Sequence, residues 1–260
     1  VPAAPMQAYV AAILEPIVTM TPAIAALFAP GGRVLREGEL FRAPELAQTI
    51  ERFGAEGAEP FYRGDVAAAI ACCVGEHGGT LTGADLADYA AVAREPVTLS
   101  YHGRTVLTNP PPSAGGILLA LALGRLRELG AGTGPQALLA AMAGAQDART
   151  GDFDDRLGDP GFLQRFLAAN LGSTTHISVL DSGGLACSVT CSNGEGSGIV
   201  VPGTGIHLNN MMGEEDLNPH GFFRAPAGRR MPSMMAPTVV LGEDGAVELV
   251  LGSAGSNRIR

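Results

Sequence analysis

The stretch Gly172-Ser173-Thr174-Thr175-His176-Ile177-Ser178-Val179-Leu180-Asp181-Ser182-Gly183-Gly184-Leu185-Ala186-Cys187-Ser188-Val189-Thr190-Cys191-Ser192 divides the chain. Residues 174–180 and 185–192 are apolar, β-branched runs on either side of Asp-Ser-Gly-Gly, which predicts a β-hairpin. Downstream the texture stays β: residues 237–241 and 246–251 flank Gly242-Glu243-Asp244-Gly245, a second hairpin. These runs carry apolar residues on both faces, so the sheet is expected to be covered on both sides. Upstream the chain reads mostly as helix. Thr21-Pro22 is an N-cap followed by proline at the first helical position. Pro44 opens a helix with Leu46, Ile50 and Phe53 on one face and Gly54 at its end. Asp65 caps the next, which stops at Gly78-Gly79, and Thr82 with Asp85 has the form of a capping box. Residues 97–101 and 105–108 flank His102-Gly103, a further hairpin, and helices follow at 115–129, 135–149 and 160–170. The expected class is α+β, a layered sandwich of helices and sheets, with a mostly helical portion 1–173 and a mostly β portion 174–260.

Composition narrows the chemistry. The 260 residues are 46% hydrophobic and 17% charged, a globular balance with enough length for a sizeable core. The net charge is −9 with no basic run, which argues against nucleic-acid partners. All 17 basic residues are arginine, so Schiff-base lysines and phosphate-loop lysines are excluded. The four cysteines, Cys72, Cys73, Cys187 and Cys191, lack metal-site spacing, and no His, Cys and carboxylate set supplies one, so no metal or cofactor is expected. Cys187 and Cys191 share a strand face and read as small core residues. No uncharged apolar run reaches membrane-spanning length and no signal peptide is visible. The chain starts at Val1 instead of Met, which is read as a start inside a longer protein, so its compartment stays open.

A threonine hydroxyl in mid-chain is a weak nucleophile. It becomes useful when an adjacent amine takes its proton, and a threonine at a chain N-terminus carries that amine itself. A free α-amine has a pKa of about 7.7–8.0, which suits a base near neutral pH. Scission of the Ser173–Thr174 bond would create it: the Thr174 hydroxyl attacks the Ser173 carbonyl, the acyl group shifts from nitrogen to oxygen, and water hydrolyses the ester. Read on pattern alone, Thr-Thr at a strand start is β-propensity.

Thr174-Thr175-His176-Ile177-Ser178-Val179 resembles the signature that opens the small subunit of γ-glutamyltranspeptidases. Further blocks follow in the family's order: Pro110-Pro111-Pro112-Ser113-Ala114-Gly115-Gly116, Leu157-Gly158-Asp159-Pro160-Gly161-Phe162, Gly196-Ser197-Gly198-Ile199-Val200, Leu208-Asn209-Asn210, Arg230-Met231-Pro232-Ser233-Met234-Met235-Ala236-Pro237-Thr238 and Gly252-Ser253-Ala254-Gly255-Ser256-Asn257-Arg258. The resemblance implies an N-terminal-nucleophile hydrolase fold, an αββα sandwich, here without the family's first block and last stretch. It implies large and small subunits cut from one precursor. It also implies a γ-glutamyl ester on threonine, formed from glutathione-like amides and passed to water or an acceptor amine.

Residue by residue, the resemblance makes Thr174 the nucleophile, with Thr175 the neighbouring alternative. Ser192 falls where a hydroxyl holds the nucleophile's amine. Backbone N–H groups of Gly255 and Ser256 fall at the oxyanion hole. Glu214 aligns with the carboxylate that binds the substrate α-amine, beside Glu215 and Asp216; such a charge run also reads as a solvated face. Ser233 matches the first of a serine pair for the α-carboxylate, and Met234 replaces the second. Met211 replaces a polar residue after Leu-Asn-Asn. The loop after Ser192 is about two residues short of the pattern, which brings Asn193 or Gly194 toward the substrate. The family's carboxylate-clamping arginine lies upstream of this chain, and Arg229 or Arg230 could substitute or simply be solvated. His176 reads as a strand-packing or hydrogen-bonding residue, His207 as structural, and His77, His102 and His220 as turn or loop residues. Two alternatives stand beside the γ-glutamyl reading: an N-terminal-nucleophile amidase of other acyl specificity, similar to cephalosporin acylases, and a truncated chain with only a structural role.

Overall fold

The protein's structure, a computed structural model, describes residues 1–130, 134–147, 175–213, 218, 221–224 and 227–253. Its elements in chain order are α1 (Pro5–Ile13), α2 (Glu15–Val18), α3 (Pro22–Phe28), α4 (Pro44–Glu56), α5 (Glu59–Tyr62), α6 (Asp65–Glu76), α7 (Gly83–Asp88), β1 (Val97–Tyr101), β2 (Arg104–Thr108), α8 (Ala114–Glu128), α9 (Pro135–Asp147), β3 (Thr175–Leu180), β4 (Ala186–Cys191), β5 (Val200–Val201), β6 (Ile206–His207), β7 (Thr238–Leu241) and β8 (Val247–Leu251), with a 3₁₀ turn at Met211–Gly213. Helices combined with antiparallel strands make the chain α+β. The predicted helix over 160–170 lies outside the described residues. Among the described residues no helix is long and apolar enough to cross a membrane.

The chain forms two units. The first joins Val1–Val92 to Asn193–Met211. Its core is one face of α6, where Val66, Ala67, Ile70 and Cys73 recur at helical spacing and pack with Leu86 of α7 and Val201 of β5. Val66, Ile70, Leu86 and Val201 each contribute about 1.5–3 kcal/mol on full burial. Helix starts follow the sequence signals. The Thr21 Oγ1 accepts from the Ile24 N–H at 3.4 Å, with Pro22 opening α3. Thr82 and Asp85 close a capping box on α7.

Three local expectations are corrected in this unit. Helix α4 runs through Gly54 and ends before Gly57, whose φ of 75° takes the chain out of the helix. Its buried position is Thr49, and Ile50 is 59% exposed. The helix is rotated because the Thr49 hydroxyl donates to the Thr204 carbonyl at 2.8 Å, which ties α4 to the β5–β6 turn. Asp65 is the first residue of α6 and not its cap; the cap position is Gly64, where a Cβ would stand 2.8 Å from Pro60 Cα. The Asp65 carboxylate pairs instead with Arg52 at 2.7 Å.

The second unit joins Ala93–Ser192 to Met212–Arg260. Its sheet has the order β1-β2-β7-β8, antiparallel throughout. The β1–β2 turn uses His102 at φ 49° and Gly103 at φ 80°, the paired left-handed geometry that fits strand twist. Val97, Val106, Thr108 and Thr238 lie on one buried face of this sheet. Helix α8 packs against β1 and β2, and α9 packs on α8 through Ala145 against Leu121 and Ala122. The β3–β4 hairpin packs against β7 and β8.

The hairpin departs from the expectation of two covered faces. One face carries His176, Ser178, Ser188 and Thr190; the other carries Ile177, Val179, Cys187, Val189 and Cys191. Among the described residues that second face is open, with Ile177 55%, Val179 53% and Val189 44% exposed. Cys187 and Cys191 do share a face, yet both are exposed free thiols, because alternation puts them on the side that the hairpin turns away from β7 and β8.

Candidate functional site

Of the residues singled out in the sequence, Ser192, Asn193, Ser233 and Met234 are described; Ser173, Thr174, Glu214, Gly255 and Ser256 lie outside the described residues. The described neighbours of the outlying residues are therefore informative. The last rung of the β3–β4 ladder pairs Thr175 with Cys191. Thr174 precedes one end of that rung and Ser192 follows the other.

His176 locks this end of the hairpin. Its Nδ1 lies 3.0 Å from the Thr190 Oγ1 and its Nε2 2.7 Å from the Ser178 Oγ. Its ring lies against Gly252, where a Cβ would meet the imidazole at 2.5 Å or closer. The Ser188 hydroxyl points at the Leu251 carbonyl, 3.2 Å away, and the Thr238 carbonyl, 3.4 Å away. The hairpin is thereby fixed to the end of β8 and to Gly252, which lies three residues before Gly255 in sequence. The glycine of Gly-Ser-Ala-Gly is explained by this approach.

Ser233 and Met234 are held by the start of α8. The Ala114 N–H donates to the Ser233 carbonyl at 2.7 Å. The buried Ser113 hydroxyl lies 2.5 Å from the Met235 carbonyl and 3.2 Å from that of Ser233. Ser113 and Ser233 form an isolated parallel bridge. Gly115 is pressed on the Met234 carbonyl, and a Cβ there would also stand 2.8 Å from the Met234 carbonyl carbon. A Cβ on Gly116 would strike the Asn109 backbone. Both glycines of the Pro-Pro-Pro-Ser-Ala-Gly-Gly block thus permit backbone contact. Met234 is 6% exposed, so an apolar side chain fills the core where the family pattern has its second serine. Buried Thr238 and Thr108 finish the seat, with Oγ1 atoms 2.9 Å apart.

Asn193 belongs to the other unit, on a loop that returns through Leu208-Asn209-Asn210. Its carbonyl accepts from the Gly196 N–H at 3.1 Å and the Asn210 N–H at 3.4 Å. The Asn210 Oδ1 accepts from the Glu195 and Gly196 N–H groups at 2.9 and 3.1 Å. His207 Nε2 accepts from the Gly198 N–H at 3.0 Å, and burial pushes its pKa below the usual histidine value. Met211 follows this loop, its N–H donating to the Asn209 Oδ1 at 3.0 Å.

Ser113, His207 and Asn210 received no functional role from the sequence. The signal for Ser113 was available in its place before a Gly-Gly pair that must admit another backbone. His207 offered none, because its partner is a backbone amide. Among the described residues no three His, Cys, Asp or Glu side chains stand ready for a metal. Cavities of about 270 and 310 Å³ in the first unit, one beside Phe28 and Phe41 and one beside Arg52 and Thr204, contain none of the predicted site residues.

A family model described as gamma-glutamyltranspeptidase matches residues 2–168 and 164–260. The chain is 33% identical to the glutathione hydrolase proenzyme of Pseudomonas aeruginosa, over 86% of this chain and 48% of that protein. It is 31% identical to the glutathione hydrolase proenzyme of Escherichia coli, over 90% and 48%. The acylase ACY 1 proenzyme of a Pseudomonas species is 29% identical over 92% and 49%. The chain thus spans about half the length of the curated relatives it matches. Among solved structures, cephalosporin acylase from Bacillus halodurans superposes with a TM-score of 0.70 at 26% identity, covering 95% of this chain and 52% of that one. The γ-glutamyltranspeptidase of Helicobacter pylori gives 0.50 at 26% identity, covering 64% and 53%.

Proposed function

The chain belongs to the γ-glutamyltranspeptidase family and has an N-terminal-nucleophile hydrolase fold, and from that premise we propose that it is a self-processing γ-glutamyl hydrolase or transferase with Thr174 as nucleophile. In the proposed maturation the Thr174 Oγ1 attacks the Ser173 carbonyl carbon. The peptide nitrogen is released as the Thr174 α-amine, and water hydrolyses the resulting ester. That amine then takes the hydroxyl proton as Oγ1 attacks the γ-carbonyl of a glutathione-like amide. The proton passes to the departing amine, leaving a γ-glutamyl ester that water or an acceptor amine resolves. In this reading Ser192 holds the Thr174 amine and the Gly255 and Ser256 N–H groups stabilise the oxyanion. Glu214 pairs with the substrate α-amine, Ser233 donates to its α-carboxylate, and Asn193 and Met234 line the remainder.

The observation that carries the reading is the fixed end of the hairpin. The Thr175–Cys191 rung and the His176–Gly252 contact bring together the described neighbours of Thr174, Ser192 and Gly255. Intact mass and N-terminal sequencing test it. The purified chain should yield pieces 1–173 and 174–260 with Thr174 at a new N-terminus, and Thr174→Ala should remain whole. A correctly folded wild type that stays in one piece would end the proposal.

A second reading is an amidase for another acyl group. Buried Met234 in place of a serine removes one hydroxyl from the carboxylate site, and the relatives include acylases. Comparing γ-glutamyl-p-nitroanilide with other acyl anilides on the matured protein separates the two: preference for an acyl group without an α-amine favours the second.

A further inference from the structure

We infer that His207 is a positioning residue that holds loop 193–198, and with it Asn193, in the shape needed to bind the acyl substrate. Its effect on substrate binding rests on the proposed function; its effect on the loop does not.

Loop 193–198 turns through Gly194, Gly196 and Gly198 at φ 60°, 88° and 73°. Such turns direct successive N–H groups inward, and those groups need acceptors. The returning strand supplies them: the Asn210 Oδ1 takes the Glu195 and Gly196 N–H groups, and His207 takes that of Gly198. Gly198 is buried, so water is no ready substitute. The residue is held at both its N–H and its carbonyl, because the Thr21 hydroxyl donates to the Gly198 carbonyl at 2.9 Å. The imidazole also lies against Gly196, where a Cβ would stand 2.9 Å from Nε2 and closer to Cε1. No other residue could take the place of Gly196 without displacing the ring. Asn193 joins the same network through its carbonyl, which accepts from Gly196 and Asn210.

A ring nitrogen that accepts a hydrogen bond has no proton. The geometry therefore requires neutral His207 with its proton on Nδ1; the imidazolium has donors only. The acidic groups in the loop and on the elements around it are Glu195, Glu15 on α2, Glu45, Glu51 and Glu56 on α4, and Asp65 and Glu76 on α6; no hydrogen bond or ion pair joins any of them to His207 among the described residues, and Arg52 of α4 pairs with Glu56 and Asp65. Burial alone lowers its pKa, which keeps the acceptor available at neutral pH.

The experiment compares wild type, His207→Leu, which removes the acceptor, and His207→Gln, whose amide oxygen reaches about as far as Nε2. Amide hydrogen exchange at Gly198 should be slow in wild type, about tenfold or more faster in the Leu variant, and slow again in the Gln variant, the size following from one hydrogen bond of ordinary strength. On the anilide the protein turns over best, KM should rise by a similar factor in the Leu variant with kcat and self-cleavage little changed. His207→Gln should restore it. The wild-type KM should also climb as pH falls through the His207 titration, and that limb should be absent in His207→Gln. Free exchange at Gly198 in wild type, or a Gln variant that behaves as the Leu variant does, overturns the inference. So does a folded Leu variant with unchanged protection and KM. A wild type that protects Gly198 through His207 yet ignores γ-glutamyl anilides supports the clamp and counts against the γ-glutamyl reading.

Discussion

Gly115→Ala and Gly124→Ala make one chemical change in one helix, and they are expected to shift stability in opposite directions. Alanine exceeds glycine in a helix by about 0.5–1 kcal/mol, because it restricts the unfolded chain and favours helical backbone angles. At Gly124 a Cβ meets nothing within 4 Å, so that gain stands. At Gly115 the Cβ would lie 2.8 Å from the Met234 carbonyl carbon and 3.0 Å from that of Met235, and closer still to the Met234 oxygen. These are backbone atoms of a segment pinned on both sides of Met234, at the Ser233 carbonyl by the Ala114 N–H and at the Met235 carbonyl by the Ser113 hydroxyl, so the segment has little room to move aside. Forcing a methyl group into such a site costs about 1–3 kcal/mol, which outweighs the propensity gain. The net expectation is a loss of about 1–2 kcal/mol for Gly115→Ala and a gain of up to about 1 kcal/mol for Gly124→Ala. Urea unfolding on a Thr174→Ala background, which the proposed maturation cannot cut, reads both as shifted midpoints. Under the proposed function Gly115→Ala should also raise KM, because it pushes Ser233 from its seat. A Gly115→Ala midpoint at or above that of the parent would refute the packing argument, as would a loss at Gly124.

Ser113→Ala removes the hydroxyl facing the Met235 and Ser233 carbonyls, which keep the Asn109 Nδ2 at 3.4 Å and the Ala114 N–H at 2.7 Å as donors, so the loss should be that of one ordinary hydrogen bond, about 0.5–1.5 kcal/mol in the same assay, with a rise in KM. Ser233→Ala should raise KM for γ-glutamyl-p-nitroanilide far more than it changes stability, since its structural hydrogen bonds use the backbone carbonyl. His207 has a folded pKa below its ordinary value of 6.5, so between the two values the unfolded chain binds the extra proton. Its contribution should be complete above pH 6.5 and lost as pH falls through the folded pKa; His207→Gln should lack that part of the pH profile in urea midpoints.

Local signals in this sequence were legible where the chain itself supplies the partner. The capping pair Thr82 and Asp85, the Thr21-Pro22 start and the His102-Gly103 turn act within four residues, and each forms as read. Misreadings arose where a distant partner decides. Ile50 has the spacing of a buried position, yet the Thr49 hydroxyl bonds across 155 residues to Thr204 and turns the helix. Cys187 and Cys191 alternate correctly, but alternation does not say which side of a hairpin meets the sheet. The seat of Ser233 was legible only as the Pro-Pro-Pro-Ser-Ala-Gly-Gly block, because its glycines make room for a segment more than 100 residues away, and no periodicity encodes that. His207 was legible as a structural residue but its partner was not, for a related reason: any residue can supply an N–H, so no sequence pattern marks the amide it serves.

The placement of the proposed cut has a further consequence. Each unit is assembled from both sides of residue 174. Strand β2 lies before that point and pairs with β7 after it, at Thr105–Leu241, Val106–Val240, Leu107–Val239 and Thr108–Thr238. Val201 of β5 completes the α6 core, and Ser113 holds the backbone of Ser233 and Met235. Scission of one peptide bond breaks none of these contacts. It does free a chain end, and the entropy gained there is small beside a shared sheet and a shared core. The two pieces should therefore elute together from a sizing column in native buffer and part only in denaturant. Native elution of piece 174–260 by itself would mean that the β2–β7 ladder and the α6–β5 core do not bind the pieces together, and the architecture described above would have to be revised before any mechanism built on it.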